Sequence, residues 1–172
     1  MKKLTTLFAV LLFMTISANV MAQNTASVGN ATASATIITK ITLANTTPLS
    51  FGTIAQTTEG GSVTLTSGSD VAVHSNSEAN ITSSTESRAL FNVTGETGAT
   101  YSIILPSSDV ELTRVSGTEK MIVNTFTTDA SLSSNTIAAG VSSFHVGAKL
   151  TVDPNQLPGT YNGTYSVTVN YN

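Results

Sequence analysis

The chain has 172 residues, with 7 Lys+Arg against 10 Asp+Glu, and Ser and Thr supply 52 of them. It has no cysteine and no tryptophan. The missing thiol excludes disulfides, thiolate nucleophiles, iron–sulfur clusters, Cys-ligated zinc and an N-terminal lipid anchor. A formal net charge of −3 with scattered basic residues argues against nucleic-acid binding.

Lys2 and Lys3 form a positive start, Leu4 to Ile16 is mostly apolar, and Val20-Met21-Ala22 offers a small-residue cleavage site. This is the pattern of a secretory signal peptide over residues 1–22, with an apolar stretch too short to span a bilayer comfortably. Cleavage would leave a single domain over 23–172 with 5 basic and 10 acidic side chains. No later run is long and apolar enough for a membrane span in the mature chain. The expected location is therefore outside the inner membrane: periplasm, cell surface or extracellular space.

The mature chain reads as strands. No long segment has apolar residues at helical spacing, and Thr, Val, Ile and Tyr dominate its apolar stretches. From Ala31 to Leu43 alternate residues share one face, among them Ala33, Ala35, Ile37, Ile41 and Leu43. Shorter strands are expected at 62–66, 71–74, 89–94, 100–105, 110–114 and 121–126, separated by Gly-, Pro- and Ser-rich turns. The stretch 75–87 is almost wholly polar and reads as an exposed loop. From 144 to 152, Phe144, Val146, Ala148, Leu150 and Val152 face inward, while His145, Gly147, Lys149 and Thr151 face out. In the last segment Tyr161, Tyr165, Val167, Val169 and Tyr171 form the core face opposite Asn, Thr and Ser; Asn162-Gly163 is alternatively a two-residue hairpin turn. Eight or more short strands at this spacing point to an all-β, antiparallel sandwich or barrel.

Catalytic and metal chemistry find little support. His74 ends a short strand and His145 lies on an outward face; nothing places them together or beside a carboxylate. Asp109 and Glu111 share a strand face but lack the cleft a glycosidase needs. No calcium loop and no Gly-x-Ser-x-Gly elbow occurs. Leu157-Pro158-Gly159-Thr160 reads as a turn before the last strand. No catalytic residue, metal ligand or cofactor is expected, and the protein is read as a non-enzyme.

Several segments together resemble a known family. They are Ala33 to Leu43, Leu49-Ser50-Phe51-Gly52-Thr53-Ile54, Ala89 to Gly95 leading to Tyr101–Pro106, Val146 to Val152, and Pro158-Gly159-Thr160-Tyr161 with the final strand. In these the chain is similar to a bacterial domain of unknown function, number forty-four-oh-two. Its closing alternation also resembles spore coat U proteins and chaperone–usher pilins. That resemblance implies an immunoglobulin-like, pilin-like β-sandwich that often lacks its last strand, which a neighbouring subunit supplies. It departs from many usher pilins in having no disulfide.

The resemblance implies a surface or fimbrial-like structural subunit, with copies of itself or related subunits and a secretion or assembly machinery as partners. Strand pairing would then rest on Ala33, Ala35, Ile37, Ile41 and Leu43 at one end and Tyr165, Val167, Val169 and Tyr171 at the other. Ala31–Leu43 serves either as donor or as the first strand of a self-closed sandwich. The competing expectation is a secreted module that binds glycan or protein through loops such as 75–87.

Overall fold

The computed structural model describes residues 27–75 and 85–172. The leader expected over 1–22 lies outside the described residues, as do 76–84 of the expected polar loop. By compactness the chain divides into Met1–Thr36 and Ile37–Asn172. Residues 27–36 form no strand, and every described strand belongs to the second unit.

In chain order the strands are β1 (Thr42–Thr47), β2 (Ser50–Phe51), β3 (Gly61–Leu65), β4 (Ala72–His74), β5 (Glu86–Ser87), β6 (Ala89–Thr94), β7 (Thr100–Ile104), β8 (Val110–Arg114), β9 (Lys120–Thr128), β10 (Asn135–Thr136), β11 (Val141–Val152), β12 (Tyr161–Asn162) and β13 (Thr168–Tyr171). Their pairings are all antiparallel. The expected strands of the middle and of 144–152 appear as β3, β4, β6, β7, β8, β9 and β11, with ends shifted by no more than 3 residues. Within the expected loop, Glu86–Ser87 pairs with Ser50–Phe51.

The protein is an all-β antiparallel sandwich. Its large, curled sheet runs β1-β6-β11-β9-β8-β12, with β3 beside β11 and β4 beside β3. A second sheet runs β10-β7-β13, and β2 pairs with β5. The long β11 holds the large sheet together. Its first half, Val141 to Val146, pairs with β6, and its second half, Ala148 to Val152, pairs with β3.

Gly147 stands at that changeover, where the register with β9 also slips. A Cβ there would meet the Leu65 carbonyl oxygen at 2.2 Å. Only glycine lets β3 approach so closely, which is why Gly147 is buried rather than outward as its place in the alternation suggested.

The first strand starts at Thr42, not at Ala31. Thr42 pairs with Thr94, the last residue of β6, so the chain before Thr42 runs past the end of β6 and finds no ladder there. The final segment also differs from one continuous strand. Tyr161–Asn162 pairs with β8 in the large sheet, residues 163–167 pair with nothing, and Thr168–Tyr171 pairs with β7 in the small one. Gly163 permits the crossing, since a Cβ there would sit 2.5 Å from the Glu111 carbonyl oxygen. Asn162-Gly163 is therefore a crossing point and not a hairpin turn, and the alternation continues through it.

Two apolar clusters result. One gathers Phe91, Val93, Tyr101, Ile103, Ile137 and Phe144 between the small sheet and the β6–β11 end of the large one. The other gathers Val63, Leu65, Met121, Val123, Leu150 and Val152 on the remaining inner face of the large sheet, under Phe51.

Candidate functional site

The small sheet covers only the first cluster. Above the second, among the described residues, lies only the short β2–β5 pair, and the rest of its cover is the stretch around it from Leu49 to Gln56, which brings Leu49, Phe51 and Ile54 down onto it. A sandwich that is two-layered over one half and single-layered over the other leaves a groove. This groove has a volume of about 680 Å³. Phe51, Ile54, Leu112, Met121 and Val152 line it, and Tyr161 and Tyr165 stand along the side formed by the final segment. Its size lies within the range of sites that take a side chain or small ligand, about 300–1,000 Å³.

Two sheet edges are open. Both β1 and β13 end their sheets, and neither has a second partner among the described residues. The Asn172 amide donates to the Thr100 carbonyl at 3.1 Å. With Asn170 opposite Ser102 and Thr168 opposite Ile104, the even-numbered residues of this segment exchange hydrogen bonds with β7. The amides and carbonyls of Val169 and Tyr171 thus point away from β7, along the free edge. This edge carries no charge, proline or bulge, the usual protections of an exposed strand.

The expected strand-pairing residues divide between the two units. Ile41 and Leu43 flank the first cluster on one side, and Tyr165, Val167, Val169 and Tyr171 flank it on another, all only half-buried. Ala33, Ala35 and Ile37 belong to no strand and are exposed, Ile37 to 97%. Tyr165 joins the aromatic groups, with its ring 5.1 Å from Phe126 and 6.4 Å from Phe91. Burial pushes its phenol up to about 12.

A polar clasp closes one end of the β1 and β13 edges. The Tyr171 hydroxyl donates to the Thr39 carbonyl at 2.8 Å and accepts from the Glu96 amide at 2.7 Å. The Thr39 amide donates to Glu96 Oε2 at 2.9 Å. That bond from Thr39 holds the Glu96 carboxyl below the usual carboxylate range. A depressed folded-state pKa contributes stability above the unfolded value of about 4.3, lost as pH falls through the folded value. Glu96→Gln is therefore expected to flatten the acid limb of the stability–pH curve below about pH 4.3 and to leave its course at neutral pH parallel to the native one. Denaturant titrations at several pH values check this, and identical acid limbs would rule the clasp out as their cause.

One expectation about histidine needs correcting. His145 is not apart from carboxylates: its Nδ1 lies 2.8 Å from Asp129 Oδ2, and its amide donates to Asp129 Oδ1 at 2.7 Å. Asp129 follows β9 directly, and β9 ends beside Val146, so the strand pairing brings the two groups together. Sixteen positions of sequence hid this contact. The pair ties the end of β9 to β11. Among the described residues no group of three or more His, Cys, Asp or Glu is placed to hold a metal ion. Sequence reasoning also missed the stretch 49–56 as groove wall. Its signal was present: Leu49 and Phe51 alternate as in a strand, and Ser50–Phe51 forms β2, but Ile54 falls out of that spacing.

An antiparallel sandwich with one incomplete layer and open edges is the class these features define. The family model described as domain of unknown function (DUF4402) matches residues 41–171, from just before β1 to the last residue of β13. The chain belongs to this family. Among curated proteins nothing matches it.

Proposed function

We propose that the protein is an exported, non-enzymatic structural subunit of a surface or fimbrial-like assembly, joined to its neighbours by strand addition. An extended segment from a second copy lies along β13, pairs with the backbone of Val169 and Tyr171, and inserts alternate side chains over the half-buried apolar row. The carrying observation is that row beside an unpaired, unprotected edge: Tyr165, Val167 and Val169 face the core yet stay half-exposed. Strand addition supplies backbone pairing along the edge and pockets for alternate residues.

The donor is the segment around Ala33, Ala35 and Ile37. It carries no charge from Gln23 to Thr39, and Ile37 is almost fully exposed. Burying an isoleucine contributes about 1.5–3 kcal/mol. Ile37→Asp leaves the core untouched, and it is expected to weaken assembly at least about tenfold. Light scattering over a concentration series provides the check. A native chain that stays monomeric throughout, or an Ile37→Asp chain that assembles equally well, would overturn the reading.

A further inference from the structure

The small sheet presents an outward face unlike that of the large one. The segments that build it and its loops, residues 97–108, 130–140 and 163–172, contain no Asp, Glu, Lys, Arg or His. The large sheet, by contrast, carries Glu111, Arg114, Lys120, His145 and Lys149 on its strands. On the small sheet Thr100 and Ser102 of β7 alternate with buried Tyr101 and Ile103, and Thr168 and Asn170 of β13 lie exposed beside them. Two large apolar side chains interrupt this neutral surface: Ile104, 55% exposed, and Leu132, 54% exposed.

Their exposure is built in. Leu132 lies beside β7, where its carbonyl accepts from the Ile103 amide at 2.9 Å. Its loop is held rigid by Asn135, whose Oδ1 accepts from the Ser131 amide and whose Nδ2 donates to the Ser131 carbonyl. The Asn172 side chain ties the same loop to the chain end by donating to the Ser133 carbonyl at 3.0 Å. Ile104 is fixed on β7 opposite Thr168. The two apolar groups thus stand on neighbouring backbones at one end of an uncharged face.

We propose that this face is a contact surface between copies of the protein, with Ile104 and Leu132 of one copy seated against the same residues of another. Charge selects this partner. Each copy is acidic overall, so two copies repel over most orientations, and a neutral face is where like-charged molecules meet without that penalty. A twofold contact uses the same patch on both sides and needs only self-complementarity. A carbohydrate partner fits less well, since the tyrosines of this sheet, Tyr101 and Tyr171, point into the core and leave no aromatic platform. The face is small, so the contact is weak between free chains and gains strength by repetition wherever copies are held in a row.

The contact uses neither the free edge of β13 nor the segment around Ile37, so it can be tested with strand addition disabled. In the full chain carrying Ile37→Asp, sedimentation is followed at loading concentrations up to about 1 mM. Self-association is expected, insensitive to added salt, and weakened more than about tenfold by Ile104→Glu or, independently, by Leu132→Glu. Both side chains are exposed, so neither substitution disturbs the core, and unchanged circular dichroism verifies this. A monomer at every concentration, or association that survives both glutamates, would overturn the proposal while leaving strand addition standing. The reverse failure is equally readable: association that Ile37→Asp leaves intact and Ile104→Glu removes counts against strand addition and for this face.

Discussion

Phe144→Ala is expected to destabilise the domain by about 3–5 kcal/mol, the range for deleting a buried aromatic ring. Phe144 is 1% exposed and stacks on Phe91 with ring centroids 5.5 Å apart. It sits in the half of the sandwich that has two layers, where β6 and β11 face the small sheet. The neighbours cannot collapse into the void, because Val93, Val146 and Ala89 are fixed by ladder pairing on both sides of the gap. A domain stability of about 5–15 kcal/mol would lose about a fifth or more. The denaturant midpoint should fall while the slope stays unchanged. Phe91 also contacts Tyr165, so the loss should reach the groove wall and loosen the final segment. A shift under about 1 kcal/mol would mean that this cluster is not the main support of the fold.

The strand content was legible because period-2 alternation and β-branched residues act locally. Ala89–Thr94 and Val110–Arg114 were placed to the residue. Register was not legible. Gly147 and Gly163 look like ordinary alternating positions, yet each marks where one backbone crowds another. What determines them is the approach of Leu65 and Glu111, residues 82 and 52 positions away in the chain. The His145–Asp129 contact was hidden for the same reason, since it depends on which residue of β9 ends beside β11. Alternation in Tyr161–Tyr171 correctly identified the core-facing side, but alternation says nothing about how much cover that side receives. Val169 is half-buried because β13 is an edge strand, and Tyr165 because it stands on the groove wall; the sequence of one chain records neither position. The stretch before Thr42 shows the converse. Its pattern suits a strand, but a strand exists only where a partner edge is free.

That last point makes the largest functional prediction. A synthetic peptide of residues 31–43, added in excess to the full chain carrying Ile37→Asp, should bind along β13 and stabilise the fold. The Ile37→Asp chain has its own donor disabled, so the edge is open to the peptide. At a peptide concentration one hundredfold above its dissociation constant, mass action gives about 2.7 kcal/mol. For a unit of this size that raises the thermal midpoint by about 8 °C. The location of the gain matters more than its size. The amides of Val169 and Tyr171 point along the free edge and exchange readily with solvent when that edge is empty, so their hydrogen exchange should slow on peptide addition. Those of Asn170 and Asn172, already facing β7, should change far less. A peptide with aspartate in place of Ile37 should lose most of the effect, because it brings a charge into an apolar row without the isoleucine that fills it. Stabilisation with unchanged exchange at Val169 and Tyr171 would place the peptide elsewhere, with the groove beneath Leu49 to Gln56 as the next surface to test. No stabilisation at any concentration would show that the open edge does not accept this segment.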